Sequence, residues 1–528
     1  SSAVMNTNEQ DAIMKSSTTP LSSNTRINAL LIGQQWGLGV GEGIILSYSV
    51  PQASAFWIED YSGNEPDRWS GLNTSQVNAF EQTLDAWAAV ADITFNQVED
   101  GQTYGDIRVA FSQLVTDDPT AAGWAYIPGE PEESGDIWLD RFSGGSYQAG
   151  SFGYATLLHE LGHALGLAHP FESKENNNSL LIGVENSSQY TIMSNNDFDG
   201  VGSTFTKTGV NSYSWHAVQP TTPMLYDVLA MQYLYGANFT TRTGDNTYVF
   251  RNDQAEFRTI WDAGGIDTFD LSNQNTPLRV DLNDGRFSAI GIKETWDDNL
   301  GIVVSAANDN IAIAYGVIIE NVIGGSGDDI LTGNQFNNQL AGGLGSNMLI
   351  GGQGTDTAIF DGNLSDHLIV NKGLGQLDVS ITATGETNIL SEIEWLQFND
   401  QLVATAQYLD YVPQNPSEVV LNPQEGNENH INYFLLSIPE TLNIDATVNY
   451  RTLDGSAIAG EDYIASSGLA LIEAGKTSAL IGVEIIADSI QESDETFFLE
   501  VSNPVGGQFP EHEIVLTAMR TIINDDFI

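Results

Sequence analysis

From Gly324 the chain repeats itself every nine residues: GGSGDDILT, GNQFNNQLA, GGLGSNMLI and GGQGTDTAI follow one another without a break. This is the GGxGxDxUx register of a parallel β-roll, in which each nonapeptide is one turn plus one short strand and stacking buries a continuous apolar column. Leu331, Leu340, Leu349 and Ala358 are the expected inward residues. The sixth position offers a side-chain oxygen to calcium from Asp329, Asn338, Asn347 and Asp356. Successive repeats face opposite sides, so an ion is shared by repeats two apart, Asp329 with Asn347 and Asn338 with Asp356. The preceding nine residues, YGVIIENVI, put Glu320 in the same phase and pair it with Asn338. Turn ligands are expected at Ile318, Gly325, Gly327, Asn334, Gly343, Gly345, Gly352 and Gly354, where small or turn-forming residues leave carbonyls accessible. Two repeats have lost the acid. Calcium is expected to stay with reduced affinity, because ligand charge sets affinity.

A second motif constrains chemistry rather than fold. His159-Glu160-Leu161-Gly162-His163-Ala164-Leu165-Gly166-Leu167-Ala168-His169 spells HExxHxxGxxH. On a helix, His159 and His163 lie one turn apart on the same face, so both imidazoles reach one ion. Gly166 can take the positive φ that ends the helix and swings His169 in as third ligand. Three nitrogens with an open fourth position describe one catalytic zinc. Glu160 is placed to act as general base toward a water there.

The 528 residues suggest three or four domains. Seventy acidic against 17 basic residues, a formal charge of -53, argue against nucleic acid or an anionic membrane as partner and for cations. There are no cysteines, so calcium takes the place of disulfides as the staple of the loop-rich parts. No run of eighteen apolar residues spans a bilayer, and membrane insertion is not expected. Residues 1–26 read as a flexible leader or propeptide remnant.

Residues 27–240 read as a mixed α/β unit: a short helix from Ile27 to Trp36, a strand from Ile44 to Val50, and a long helix capped at Asn73 and running to Val90. Strands follow at Asp92 to Val98 and Asp106 to Phe111, and strand-like runs at Gly123 to Tyr126 and Asp136 to Leu139. One of the last two is expected to form the edge beside the cleft, able to hold an extended peptide by strand addition.

The zinc motif followed by Tyr190-Thr191-Ile192-Met193-Ser194 resembles the metzincin metalloproteases, and within them the serralysin family of secreted bacterial endopeptidases. The run PMLYDVLAMQYLYGAN from Pro223 resembles the helix closing that family's catalytic domain, and NALLIGQQWG its first helix. The resemblance implies an α/β metzincin catalytic domain, Met193 as an apolar floor under the histidines, protein and peptide substrates, and type I export to the exterior. It also implies a monomer and, as a further partner, a proteinaceous inhibitor. One position departs: serralysins carry a tyrosine two residues after this methionine, and here Asn195 stands there, a shorter candidate for oxyanion donor. The resemblance further implies a calcium cage joining the two domains, with carboxylates from Asp262 and Asp267 and oxygens from Arg242, Gly244, Asn246, Gly264 and Gly265. Residues 241–412 then form the RTX β-roll domain, ending in the cap LSEIEWLQFNDQ.

Residues 413–528 alternate like strands throughout. The blocks VNYRTLDGSAIAGEDY, ADSIQESDETFFLEVSNP and IINDD resemble a Calx-β domain, implying an all-β immunoglobulin-like sandwich. Its calcium ligands map onto Glu425, Asp462, Asp488, Glu492, Asp525 and Asp526. The expected whole is a secreted zinc endopeptidase with calcium-stabilised C-terminal domains. The alternatives are a calcium-dependent adhesin with a vestigial protease domain, and a surface-layer structural protein.

Overall fold

The computed structural model describes residues 15–522 apart from 54, 102, 114–121, 142–144, 211, 374, 409–419, 424–430, 443–444, 487–494, 508 and 510–514. The start of the expected Calx-β stretch, Pro413 to Ser417, and the C-terminal Asp525 to Ile528 therefore lie outside the described residues.

The first unit is a twisted sheet with helices packed on it. Strands β1 (Ser16–Thr18) and β2 (Gln34–Trp36) form an antiparallel pair of their own, with α1 (Thr25–Leu30) between them. The main sheet has the order β5 (Ile93–Gln97), β3 (Ile44–Ser49), β6 (Ile107–Ser112), β8 (Asp136–Asp140), β7 (Gly123–Ala125), with β4 (Trp69–Ser70) pairing β6. All neighbours along that order are parallel except β7, which runs antiparallel to β8 and closes the sheet. Of the two strands considered for the edge, β7 takes it and β8 lies inside. The long helix α2 (Thr74–Val90) starts at a capping box: the Asn73 side chain accepts from the Gln76 N–H and the Gln76 side chain from the Asn73 N–H. Phe80, Leu84 and Trp87, each within 2% of full burial, fill the space between α2 and the zinc-motif helix.

Two expectations at the N-terminal end are corrected. The stretch Ile27 to Trp36 is not one helix: α1 stops at Leu30, and β2 follows Gly33 at φ +95°. The reason is tertiary. Ile32 N–H donates to the Gly166 carbonyl at 3.0 Å, and Ala168 N–H to the Leu30 carbonyl at 2.8 Å, so the extended backbone is used to pin the turn that follows the zinc helix. The ordered unit also begins ahead of residue 27, since β1 pairs β2 and the Ser16 side chain is buried. Residues 1–14, the remainder of the expected leader, lie outside the described residues.

The second unit is the roll, two stacks of short parallel strands, three residues long in the nonapeptide repeats. One stack runs Thr247–Val249, Thr268–Asp270, Asn321–Ile323, Gln339–Ala341, Thr357–Ile359 and Trp395–Gln397; the other runs Arg279–Asp281, Ile330–Thr332, Met348–Ile350 and Thr387–Ser391. Register advances by two repeats at each step: Leu331 pairs Leu349 and Leu340 pairs Ala358. Leu331, Leu340, Leu349 and Ala358 are wholly inaccessible to solvent, as the period required. Antiparallel strands His367–Gly373, Gln376–Ile381 and Leu402–Ala404 cap the stacks.

The last unit is a sandwich of two antiparallel sheets, one made of Val420–Pro423, Ile431–Ser437 and Ser478–Glu484, the other of Ser467–Ile472, Ala446–Asp454, Glu495–Val505 and Val515–Ile522. At its centre Phe497 stacks on Tyr463 and meets Phe434 edge to face. Among the described residues, no helix is long and apolar enough to cross a membrane.

Candidate active site

Helix α3 (Phe152–Ala164) begins at Ser151, whose hydroxyl accepts from the Tyr154 N–H, and buries Leu157, Leu158, Leu161 and Ala164 on its core face. That leaves His159 and His163 on the opposite stripe. Gly166 sits at φ +110°, and a Cβ there would meet the Gln34 carbonyl oxygen at 2.7 Å, so both the reversal and the close approach require glycine. Two aromatic donors satisfy carbonyls that the helix end leaves free: Trp36 Nε1 donates to Ala164 and Tyr235 Oη to Leu165, each at 2.8 Å.

The turn carries His169 back beside its partners. Its Nε2 lies 3.2 Å from Nε2 of His159 and 3.2 Å from Nε2 of His163. Each Nδ1 faces outward onto an acceptor: Ile192 carbonyl for His159 at 2.7 Å, Leu167 carbonyl for His163 at 2.8 Å, and Glu172 Oε1 for His169 at 3.0 Å. Outward acceptors place the proton on Nδ1 and leave three Nε2 lone pairs converging on one point. Burial lowers the His159 pKa to about 4, and burial with the neighbouring imidazoles lowers that of His163 well below its ordinary value. Three imidazoles facing each other without donors between them fit a bound cation, and these three are the group the described residues offer for a metal.

Glu160 is 5% exposed, and its Oε2 has no hydrogen-bond partner. Burial pushes its pKa up to about 8. The edge strand β7 forms the wall beside it. A Cβ on Gly123 would lie 3.0 Å from Glu160 Cγ and 3.2 Å from its Oε1, so strand and carboxylate touch only because residue 123 has no side chain. Gly123→Val is expected to lower kcat/KM on peptide substrates on the order of 10²-fold by displacing Glu160, with bound zinc unchanged. An unaltered rate would show that the contact does not position the carboxylate.

Met193 lies under the helix: a Cβ on Gly162 would meet its Sδ at 2.7 Å. The loop holding it is fixed from α4 (Leu225–Tyr235). Asp227, fully buried, accepts from Thr191 Oγ1 at 2.5 Å, from Ile192 N–H at 2.7 Å and from Met224 N–H at 2.8 Å, and the Thr191 hydroxyl in turn accepts from Met193 N–H. Asp227 and Glu172 were not singled out from sequence; Glu172 carries only the weak signal of an acid three residues after a candidate ligand. Asn195 is exposed at the start of the loop leaving Met193.

The calcium candidates fall into two groups. At the domain junction, Asn246 N–H donates to Asp267 Oδ1 at 2.7 Å, Gly264 N–H to Asp262 Oδ1 at 2.9 Å, and Asp267 N–H to Glu320 Oε2 at 2.6 Å. Gly244 and Gly265 pack so closely that a Cβ on the latter would meet the former's carbonyl oxygen, and Arg242 takes a positive φ of 54°. In the roll, the expected pairs meet: Asp329 N–H donates to Asn347 Oδ1 at 2.9 Å and Asn338 N–H to Asp356 Oδ1 at 2.7 Å. The turns differ in what they leave over. Asn338 Nδ2 donates to the Glu320 carbonyl and to Asn334 Oδ1, and Asn347 Nδ2 to Asn388 Oδ1, so these amides close their turns upon themselves. Both Asp329 oxygens accept backbone N–H groups, from Leu278 and Gly325. Asp267 Oδ2 and Asp356 Oδ2 are buried without a partner. Facing Asp356 is Glu394, whose Oε2 accepts the Asp356 N–H at 2.7 Å; burial and this second carboxylate push the Asp356 pKa up to about 9. An orphaned buried oxygen beside a second acid fits a divalent cation. Carbonyl-rich turns support it: Gly343 and Gly345 sit at φ +79° and +88°, Gly352 and Gly354 at +96° and +110°.

In the sandwich, Asp462 Oδ2 accepts the Ile458 N–H at 2.6 Å. Glu425, Asp488, Glu492, Asp525 and Asp526 lie outside the described residues.

Residues 64–206 match the family model described as Matrixin, 228–464 that of the Peptidase M10 serralysin C terminal, and 424–526 that of the Calx-beta domain. Serralysin of Proteus mirabilis is 32% identical over 331 residues, covering 57% of this chain and 62% of that protein. Serralysin G of Dickeya chrysanthemi is 33% identical over 326 residues, 57% and 61%. Metalloprotease AprA of Pseudomonas entomophila (strain L48) is 34% identical over 296 residues, 52% and 56%. The chain thus spans about three-fifths of the length of these relatives. Its sequence is therefore similar to the serralysins through a Matrixin unit and a serralysin C-terminal unit, with a Calx-beta domain following them.

Proposed function

We propose that this chain is a secreted zinc endopeptidase that hydrolyses protein and peptide substrates. The observation that carries the reading is the convergence of three Nε2 atoms beside the buried, unpartnered Oε2 of Glu160. His159, His163 and His169 hold the zinc, which when bound polarises the scissile carbonyl and lowers the pKa of water. Glu160 accepts the proton of the attacking water and returns it to the departing amine. Strand β7 hydrogen-bonds the substrate along its free edge and holds it extended past Glu160. Asn195, exposed beside the cleft, replaces the tyrosine of relatives as a donor to the developing oxyanion. The catalytic unit ends near residue 240 and the roll near 412.

Calcium holds the C-terminal units, at Asp262, Asp267 and Glu320 and at Asp356 and Glu394 most firmly, because those turns keep paired acids and an unpartnered oxygen. Folding of an acidic chain on meeting external calcium fits type I export, and the protein acts as a monomer open to a proteinaceous inhibitor.

The reading is tested by incubating the purified chain with casein, with and without a zinc chelator. Digestion that the chelator stops and zinc restores is expected. No digestion in either arm would favour the adhesin alternative.

A further inference from the structure

The loop after Met193 leads into a structure that the zinc motif does not explain. Strands β9 (Ser203–Lys207) and β10 (Tyr213–Ala217) form a hairpin, and β9 continues across to a second hairpin, Ile292–Asp297 with Gly301–Ala306, inserted in the roll domain. The resulting four-stranded sheet ties the catalytic unit to the roll. Pairing sets Trp215 opposite Phe205, Ala217 opposite Ser203, and Ser203 opposite Glu294. By the two-residue period, Phe205, Tyr213, Trp215, Glu294 and Trp296 therefore share one face.

That face lines a pocket of about 900 Å³, whose remaining wall includes Asp197, Phe198 and Asp199. Its aromatic rings are set against each other, Phe205 and Tyr213 at 6.0 and 5.9 Å from Trp296, yet stay open to solvent: Trp215 is 65% and Trp296 52% exposed. Three carboxylates line the pocket, from Asp197, Asp199 and Glu294, of which Glu294 also accepts the Phe205 N–H and Asp197 the Gln219 amide; Lys207, opposite Tyr213 on the same face at the outer end of β9, is not part of the lining. Asp197 is four residues from Met193, and four residues of chain span at most about 14 Å, so this wall of the pocket continues directly from the loop that carries Met193 under the histidines. Ser188 locks this wall in place, its N–H donating to the Asn196 carbonyl and its hydroxyl accepting the Phe198 N–H.

We propose that this pocket is a substrate subsite for a lysine or arginine side chain of the polypeptide being cleaved, a reading that rests on the endopeptidase function above. Indole faces attract a cation through their quadrupole, and carboxylates at the rim neutralise it. An uncharged side chain gains neither. The chain therefore prefers basic polypeptides, with the basic residue at a fixed distance from the scissile bond.

Two measurements on the full, zinc-loaded chain test this. In cleavage of a peptide library, kcat/KM is expected to be about tenfold higher with arginine or lysine at one fixed position than with glutamine there, and Trp215→Leu or Glu294→Gln is expected to abolish that ratio. Trp215 is exposed, so its loss spares the fold. In calorimetric titration of the Glu160→Ala chain, Ac-Ala-Ala-Arg-Ala-Ala-amide should bind about tenfold tighter than its glutamine counterpart, with the difference lost in the two pocket variants. If no peptide is cleaved, the endopeptidase reading fails while the titration still reports on the pocket. Equal binding of both peptides overturns the subsite, as does a preference that survives both variants. Binding of a neutral oligosaccharide that Trp215→Leu removes, with no arginine preference, would overturn it in favour of a glycan site.

Discussion

Glu160→Ala is expected to lower kcat/KM for casein-derived peptides on the order of 10³-fold, a loss of about 4 kcal/mol of transition-state stabilisation, while zinc content stays at that of the parent. The two readouts separate because the carboxylate is not one of the three converging ligands. His159, His163 and His169 keep their outward hydrogen bonds to Ile192, Leu167 and Glu172 whatever stands at 160. What the variant removes is the buried Oε2 that has no partner of its own, the only group on α3 placed to hold a proton between water and leaving amine. Glu160→Gln keeps the size and one acceptor but cannot take up a proton, so it should fall as far as alanine. Substantial activity in glutamine would mean that orientation of water, rather than proton transfer, is what the residue supplies. Parent-like activity of both would remove the proposed chemistry altogether.

The parts of this site that were legible in the sequence are those governed by a short period. Helical spacing placed His159 and His163 together, and the need for a positive φ identified Gly166, which the structure gives +110°. The nonapeptide likewise fixed which residues face inward, since each strand is only three residues long and the phase cannot drift. What escaped was tertiary. The stretch after Leu30 is apolar in a way that suits either helix or strand, and only its pairing with Gly166 and Ala168 decides. Asp227 looks like any acid in the first turn of a helix until its carboxylate is seen to hold Thr191 and Ile192. Glu394 stands 38 residues after Asp356, which is not a multiple of nine, because the strands from His367 to Ser391 intervene; the repeat continues in space after it has ended in sequence. The loop beyond Met193 had no period to read, and its hairpin proved to be the wall of a pocket.

Removing calcium is expected to unfold the roll. A site saturated at 100 times its Kd contributes about 2.7 kcal/mol of stability, so two such sites supply about 5 kcal/mol, comparable with the whole stability of many domains. The penalty without the ion is visible in the structure: Asp356 and Glu394 are buried facing one another, and Asp267 beside Glu320, in a chain of formal charge -53. Chelation at neutral pH should therefore lower the first thermal transition by roughly 15 °C or more, followed by circular dichroism, with recovery when calcium is returned. The variants order the sites. Asp356→Asn converts a paired-acid turn into the kind that Asn338 and Asn347 already form, closed by its own amide, and leaves only the junction site to respond to calcium, losing about half of the calcium-dependent shift. Asn338→Ala opens a turn that the amide already closes and should leave the calcium-dependent shift as in the parent, lowering both melting temperatures alike. A chain that melts at the same temperature with and without chelator would show that the turns are held by backbone hydrogen bonds alone, and that the buried carboxylates are tolerated rather than used.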